Sequence, residues 1–285
     1  MKRFFRSVMQ GGQVNTIQHG LKQVMMSLIS FLSYGKWQFK EAYNTIYQGQ
    51  NKSSQFMNIV KDAFGDEFPE DTDNFSYVTL TDLNNMADFS KLKEGDCFAD
   101  LACGRGGPGM WVARKTKASL TGIDISEEAI TSATRRIQEF GLDGRAEFQT
   151  GTFEDTGLET ESCDGAISVD ALWLTPDRNK AFVEIARILK PGARLVFTSW
   201  DGNIPFTPSD HKGELSDSGF EVEIYKETEG WKERQLAVYE GVLRSKDQLI
   251  REMGKRCAMP IIKEARSTPP VMEKSTRIFV VARKK

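Results

Sequence analysis

Histidine and paired cysteine are scarce in this chain of 285 residues. It has only two histidines, His19 and His211, and its four cysteines form no Cys-x-x-Cys pair. This scarcity disfavours a histidine-based or zinc-finger-type centre, so we predict no metal site. We interpret the cysteines as buried thiols of a reducing compartment, the cytoplasm, rather than as disulfide partners.

A charge excess, a long apolar run and an internal repeat are also missing. The net charge is −2, which argues against a protein that coats nucleic acid. A helix needs about 20 apolar residues to cross a bilayer, and the longest apolar stretch, residues 24–34, is about half of that. The length and composition are those of one α/β core with appendages.

Acidic residues are absent from residues 1–40, which carry six lysines and arginines. Apolar residues recur there at helical spacing, which predicts an amphipathic helix. Two interpretations stay open. The helix packs onto the rest of the chain, or it contacts a membrane surface or acts as an organellar targeting segment.

Glycine, by contrast, is concentrated in one stretch. Residues 97–101 are typical of a buried strand, and residues 107–117 of a helix. Between and within them, Gly104, Gly106, Gly107 and Gly109 fall within six positions. Glycines let a ligand approach the backbone closely, and a glycine turn between strand and helix is where open α/β sheets hold nucleotide-like ligands. Three of the four match G-x-G-x-x-G, which alone is a weak signal.

Two acidic residues narrow the choice of ligand. Asp100 ends the strand before the glycines, where a carboxylate repels a pyrophosphate and attracts a cation. The nucleoside ligand with a cationic amine-bearing tail is S-adenosylmethionine. Asp124 ends the next apolar run, about 20 residues on, at the position of the acid that bonds ribose hydroxyls in nucleotide-binding α/β folds.

These stretches resemble the class I S-adenosylmethionine-dependent methyltransferases. DLACGRGGPG (100–109) is similar to their first motif and GIDIS (122–126) to their second; SVDALWLTPDR (168–178) and ARILKPGARLVFTSW (186–200) are similar to later motifs. Ala102 departs from the pattern, since the family often has glycine there, and as a small residue we expect it to cost little. The resemblance implies cofactor contacts from Asp100, Ala102, Gly104, Gly106, Asp124, Ile125, Thr152, Phe153 and Val169.

The substrate side of the site is less marked. The resemblance implies that an N-terminal helical segment closes over the cofactor, which makes Tyr43 and Tyr47 candidates for the substrate pocket. Trp173 and Trp200 lie near strand ends and are further candidates for its wall. Methyl transfer needs a general base only if the acceptor loses a proton. Asp170 and His211 are the candidates for that role.

The apolar pattern alternates strand and helix. Strands are predicted at 97–101, 119–124, 145–150, 164–169, 193–200, 220–226 and 276–283, and helices at 107–117, 126–140, 177–190 and 231–254. This pattern predicts an α/β fold with a doubly wound, seven-stranded, mostly parallel sheet. The resemblance implies that the last strand inserts antiparallel beside the sixth. We divide the chain into an N-terminal helical extension and lid (1–90) and a methyltransferase domain (91–285) with a helical cover at about 230–270.

The function predicted from the sequence is S-adenosylmethionine-dependent methylation of a small molecule, with the acceptor atom (O, N or C) and the oligomeric state open. One alternative is an NAD(P)-dependent oxidoreductase, although no Tyr-x-x-x-Lys pair is present. Another is a methylase of nucleic-acid bases, although residues 169–172 lack the Pro-Pro-aromatic run. A third is a non-enzymatic, cofactor-binding protein at a membrane.

Overall fold

The computed structural model describes residues 53–70, 72, 76–175, 177–202 and 210–285. Residues 1–52 lie outside this part, so the interpretations of residues 1–40 and of Tyr43 and Tyr47 stay predictions. None of the described helices is long and apolar enough to span a membrane.

Seven strands form one mixed sheet, as predicted. In chain order they are β1 (Cys97–Leu101), β2 (Ser119–Asp124), β3 (Ala146–Thr150), β4 (Cys163–Val169), β5 (Leu189–Gly202), β6 (Phe220–Glu227) and β7 (Ser275–Lys284). The spatial order is β3-β2-β1-β4-β5-β7-β6. The first five strands run parallel, and β7 lies antiparallel between β5 and β6. The predicted fold class and the insertion of the last strand are therefore confirmed.

Helices cover both faces of the sheet. The described ones are α1 (Ser54–Phe64), α2 (Leu80–Ser90), α3 (Gly107–Thr116), α4 (Glu127–Arg135), α5 (Arg178–Ile188), α6 (Lys212–Asp217), α7 (Trp231–Arg244), α8 (Lys246–Met253), α9 (Lys255–Ser267) and α10 (Pro269–Met272). Ser126 caps α4 by accepting a hydrogen bond from the Ala129 N–H, as its position predicts. Met110 of α3 and Leu83 of α2 pack on one face with Phe98, and Phe182 of α5 packs on the other with Phe197.

A third apolar cluster joins α1 to the helices that follow β6. Phe56 and Ile59 of α1 pack there with Trp231 and Val242 of α7, Leu249 of α8 and Ile262 of α9. Burial of such side chains stabilises by about 2 kcal/mol each. The helices that follow β6 therefore form a packed layer with α1, and their role as a cover stays a prediction.

Three element boundaries differ from the prediction by more than two residues. The helix predicted over 231–254 ends at Arg244, and Ser245 (φ −98°, ψ 13°) separates α7 from α8. Its hydroxyl accepts a hydrogen bond from the Gln55 amide, so a contact with distant α1 fixes the break. The helix predicted over 126–140 ends at Arg135 and continues only as a short 3₁₀ turn. Strand β5 starts earlier than predicted, because Leu189 already pairs with Cys163 before a register shift.

Cys103, Cys163 and Cys257 are buried as predicted, but Cys97 is exposed.

Candidate cofactor and substrate site

The predicted cofactor residues lie at one edge of the sheet. Asp100 pairs with Gly122 of β2 and Ile167 of β4, and Asp124 pairs with Thr150 of β3. The carboxyl ends of these parallel strands therefore lie side by side. This is the edge at which doubly wound sheets bind ligands.

Backbone geometry explains the glycines. Gly104 (φ +54°) and Gly106 (φ +76°) are left-handed, which an L side chain resists. At Gly109 a Cβ atom would lie 2.4 Å from Oδ2 of Asp100, so only glycine lets α3 begin against that carboxylate. Ala102 is also left-handed (φ +57°), and this conformation costs roughly 1 kcal/mol in a non-glycine residue. The expectation that alanine costs little at position 102 is therefore wrong, because the left-handed backbone destabilises alanine relative to glycine.

Asp100 is buried and incompletely partnered. It is 1% exposed, and its Oδ2 atom has no hydrogen-bond partner among the described residues. Burial raises the pKa of its carboxyl group to about 7, the Gly109 N–H opposes that rise, and the charge of Asp124 adds to it. A buried carboxylate without a counter-charge is costly, so this position favours a cationic ligand group.

Asp124 fixes the glycine turn. Its Oδ2 accepts a hydrogen bond from the Gly104 N–H at 2.8 Å, and its Oδ1 accepts one from the Ser126 N–H at 2.8 Å. Burial raises the pKa of Asp124, against the lowering effect of these N–H groups. A carboxylate has about four acceptor positions, so two hydrogen bonds leave capacity for ribose hydroxyls. Its position agrees with the predicted role.

The remaining predicted cofactor contacts lie on neighbouring loops of the same edge. Ile125 follows β2 and is only partly buried. Thr152 forms an isolated bridge with Asp155, and its buried hydroxyl has no hydrogen-bond partner in the described chain. Phe153 packs partly against the core, and Val169, the last residue of β4, is also partly buried. Their contacts with a cofactor stay predictions.

Asp170, a predicted base, is held in an ion-pair network. Its two oxygens accept hydrogen bonds from the Arg277 guanidinium at 2.9 and 3.2 Å, and Oδ2 also accepts the Tyr77 N–H at 3.0 Å. Arg277 is fully buried and donates to Asp82 at 2.8 Å as well. Burial lowers the pKa of Arg277, but the charges of Asp170 and Asp82 outweigh this effect and raise it. This geometry is that of a scaffold and disfavours Asp170 as a proton acceptor.

His211, the other predicted base, lies on the opposite face of β5. It is fully buried, its Nε2 atom lies 3.0 Å from the Ser199 hydroxyl, and its ring meets Phe182 and Phe197 edge-on. Trp200, whose side chain points to the other face of the strand, belongs to the site edge instead. The position of His211 therefore disfavours contact with a bound substrate.

An aromatic cluster lies at the ends of β4 and β5. The Trp173 and Trp200 rings are 6.0 Å apart and edge-on, which places both predicted pocket residues together. Tyr77 stands 6.1 Å from Trp200 and 6.3 Å from Tyr239 of α7. The sequence pattern does not identify Tyr77 as a site residue. It follows an acidic, turn-rich stretch, and that pattern does not indicate a contact with the Asp170 carboxylate.

Comparison with known proteins agrees with this geometry. A family model described as "Methyltransferase domain" matches residues 99–197. The chain is 32% identical over 163 residues to 24-methylenesterol C-methyltransferase 2 of Arabidopsis thaliana, a match that covers 54% of this chain and 45% of the relative. It is 28% identical over 190 residues to squalene methyltransferase 2 of Botryococcus braunii, covering 62% of this chain and 50% of the relative. The chain thus matches half or less of these relatives' length.

Among solved structures, the [4+2]-cyclase SpnF superposes with a TM-score of 0.69 at 18% identity, covering 87% of this chain and 95% of the cyclase. At this identity the likeness concerns the fold alone. Because a cyclase shares the fold, the architecture does not by itself fix the reaction.

Proposed function

We propose that this chain, which belongs to the class I methyltransferases, transfers a methyl group from S-adenosylmethionine to a small, largely apolar metabolite. The family assignment made from the sequence motifs is confirmed by the family match over residues 99–197. The single observation that carries the proposed reaction is the buried, unpartnered Oδ2 atom of Asp100 beside a glycine turn.

The proposed cofactor contacts follow from the residues at the sheet edge. Asp100 binds the methionine ammonium, and the left-handed backbone from Ala102 to Gly106 lets the methionine and ribose approach. Asp124 binds the ribose hydroxyls, while Ile125, Thr152 and Phe153 contact the adenine and Val169 the methionine moiety. When bound, the cofactor supplies an electrophilic methyl group. The protein then contributes mainly orientation and exclusion of water.

The acceptor is proposed from two observations. The partly buried rings of Trp173, Trp200 and Tyr77 lie together near the ends of β4 and β5, and the buried Tyr239 contacts Tyr77. The matched relatives are, by name, methyltransferases of a methylene sterol and of squalene. An unsaturated hydrocarbon acceptor, methylated at carbon, fits an aromatic wall, which also stabilises a positive charge that forms on the acceptor.

The experiment is transfer of isotope-labelled methyl from S-adenosylmethionine to a panel of acceptors. Squalene and a 24-methylene sterol are offered in detergent, with a hydrophilic phenol and a free amine as polar controls. We expect label in an apolar acceptor and none in the polar pair. Binding of S-adenosylmethionine without transfer to any acceptor, or binding of NAD(P) in its place, would overturn the proposal.

We divide the chain into residues 1–90, which close over the site, and residues 91–285, which bind the cofactor. Residues 1–40, basic and free of acidic side chains, contact an anionic membrane surface. Co-sedimentation with anionic vesicles, with and without added salt, compares the full chain with a 1–40 deletion. Equal binding by both proteins would contradict the membrane contact.

A further inference from the structure

We propose that Glu264 of α9 is the proton acceptor for the methylated substrate, and that Tyr239 and Tyr77 connect it to the substrate pocket. The proposal rests on the proposed function and adds the residue that receives the proton. It starts from a polar cluster inside the helical cover that cofactor binding does not use, formed by Tyr77, Gln235, Tyr239 and Glu264.

Backbone contacts place this polar cluster next to the site. The Tyr77 N–H donates to Asp170, which immediately follows β4, and the Tyr77 ring meets Trp200 of β5. Strand β4 pairs with β1, which carries Asp100. Tyr77 therefore stands at the sheet edge, one strand away from the glycine turn. It is only partly buried, and we propose that it faces a ligand at that edge.

The hydrogen bonds of the cluster are directed towards Glu264. The Gln235 amide donates to the Tyr239 hydroxyl at 2.7 Å, and that hydroxyl donates to Oε1 of Glu264 at 2.9 Å. Burial, followed by the charges of Tyr239 and Glu264, raises the pKa of Tyr77, so its hydroxyl lies near the same carboxyl group. Gln235 is 4% exposed, and its own Oε1 atom has no described partner. A buried amide oxygen without a partner indicates a cluster that is completed by something outside it.

Glu264 lies on α9, whose apolar side chains belong to the third apolar cluster. Helices α1, α7 and α8 contribute Ile59, Val238 and Leu249 to that cluster. The titratable groups that act on Glu264 are Tyr239 and Tyr77. Burial raises the pKa of Glu264 and those of both tyrosines. A carboxylate of raised pKa is a better base near neutral pH than an exposed one.

Methyl transfer to an uncharged acceptor leaves a positive charge that is removed by loss of a proton. As the S–CH₃ bond breaks, its electron pair stays on sulfur, and an electron pair of the acceptor forms the new bond to the methyl carbon. The acceptor then carries one positive charge and loses one proton. A tyrosine hydroxyl takes this proton while passing its own to the Glu264 carboxylate. The surrounding rings stabilise the charge until the proton leaves.

The test mimics the charged state with a ligand that needs no chemistry. Decyltrimethylammonium carries a fixed positive charge, and decyldimethylamine oxide is its match without net charge at pH 8. Both are titrated by calorimetry into the protein saturated with S-adenosylhomocysteine. We expect ammonium affinity to rise with pH, because Glu264 must be ionised to attract it. Glu264→Gln should weaken ammonium binding about tenfold and flatten that pH dependence, with no effect on the amine oxide.

Control variants separate the alternatives. Glu240→Gln removes an exposed carboxylate beside Tyr239 on α7 and should leave ammonium binding unchanged. Tyr239→Phe removes a hydrogen bond that lowers the pKa of Glu264, so the midpoint of the pH dependence should rise. This second variant tests the proposal even if Glu264→Gln does not fold.

Ammonium binding that is unaffected by Glu264→Gln, or an unmoved midpoint in Tyr239→Phe, would overturn the role of Glu264. S-adenosylmethionine affinity should be unchanged in both variants, because Asp100 and the glycine turn are intact. Failure of the wild type to bind S-adenosylmethionine would instead overturn the proposed function.

Discussion

Two buried carboxylates at the same edge of the sheet have opposite surroundings. Asp170 is paired through both oxygens with Arg277, which also binds Asp82. Asp100 accepts the Gly109 N–H, lies near the charge of Asp124, and has one oxygen without a partner among the described residues. Both lie directly at strand ends, so sequence spacing alone does not distinguish their roles.

The difference separates scaffold from binding site. A buried charge with a counter-charge contributes to the fold, and its removal from the pair is strongly destabilising. A buried charge without one lowers stability and is retained where a ligand supplies the missing partner. On this basis we assign a structural role to Asp170 and Arg277, and we propose that Asp100 binds the cation.

The largest expected effect is on the paired carboxylate. Arg277→Met leaves Asp82 and Asp170 buried without their counter-charge, so we expect the free energy of unfolding to fall by about 3–5 kcal/mol. Urea unfolding followed by circular dichroism measures it. Arg283→Met, on the same strand but in a partly exposed pair with Glu221 and Glu223, is the matched control and should cost less than about 1 kcal/mol. Equal losses in the two variants would remove the scaffold assignment.

Ionised Asp100, by contrast, is expected to lower the free energy of unfolding. Its pKa of about 7 in the folded state lies above the ordinary value of 3.8. The folded protein therefore binds the extra proton between these values, and stability falls as pH rises through that window, by at most about 1.4 kcal/mol per pH unit.

Asp100→Asn abolishes this dependence. We expect the variant without ligand to be more stable than the wild type at pH 8, by up to about 4 kcal/mol, and the difference to shrink towards pH 4. Thermal unfolding at the two pH values measures it. A variant that is less stable than the wild type at pH 8 would show that Asp100 is already satisfied.

The smallest effect concerns the backbone beside each carboxylate. Ala102 and Asp170 are both left-handed, but short polar residues such as Asp tolerate this conformation better than alanine. Ala102→Gly should raise the free energy of unfolding by about 1 kcal/mol, measured by urea titration. Ala99→Gly, in the buried extended strand β1, is the control and should lower it. Destabilisation by Ala102→Gly would contradict the strain.

Much of the fold follows from local pattern. Strand β1, the glycine turn, Asp100 and Asp124 lie close in sequence, and periodicity fixes their register. The antiparallel position of β7 came from family resemblance and is confirmed.

The parts that local pattern misses depend on distant partners. The structural role of Asp170 depends on its ion pair with Arg277, 107 residues further along the chain. The break at Ser245 accompanies a contact with Gln55, and Tyr77 lies at the site because Asp170 holds its N–H. No local pattern carries such contacts, since helix and strand periodicity report only which face of an element is buried.

We propose that Asp100 binds the cationic group of the cofactor, and calorimetric titration of S-adenosylmethionine tests this most directly. Wild-type affinity should rise as pH increases through about 7, because binding requires the ionised carboxylate. Asp100→Asn should bind about 10- to 100-fold more weakly at pH 8, since a charge-assisted hydrogen bond is worth about 1.5–3 kcal/mol. Equal affinity of the folded variant and the wild type, with no pH dependence in either, would contradict the account.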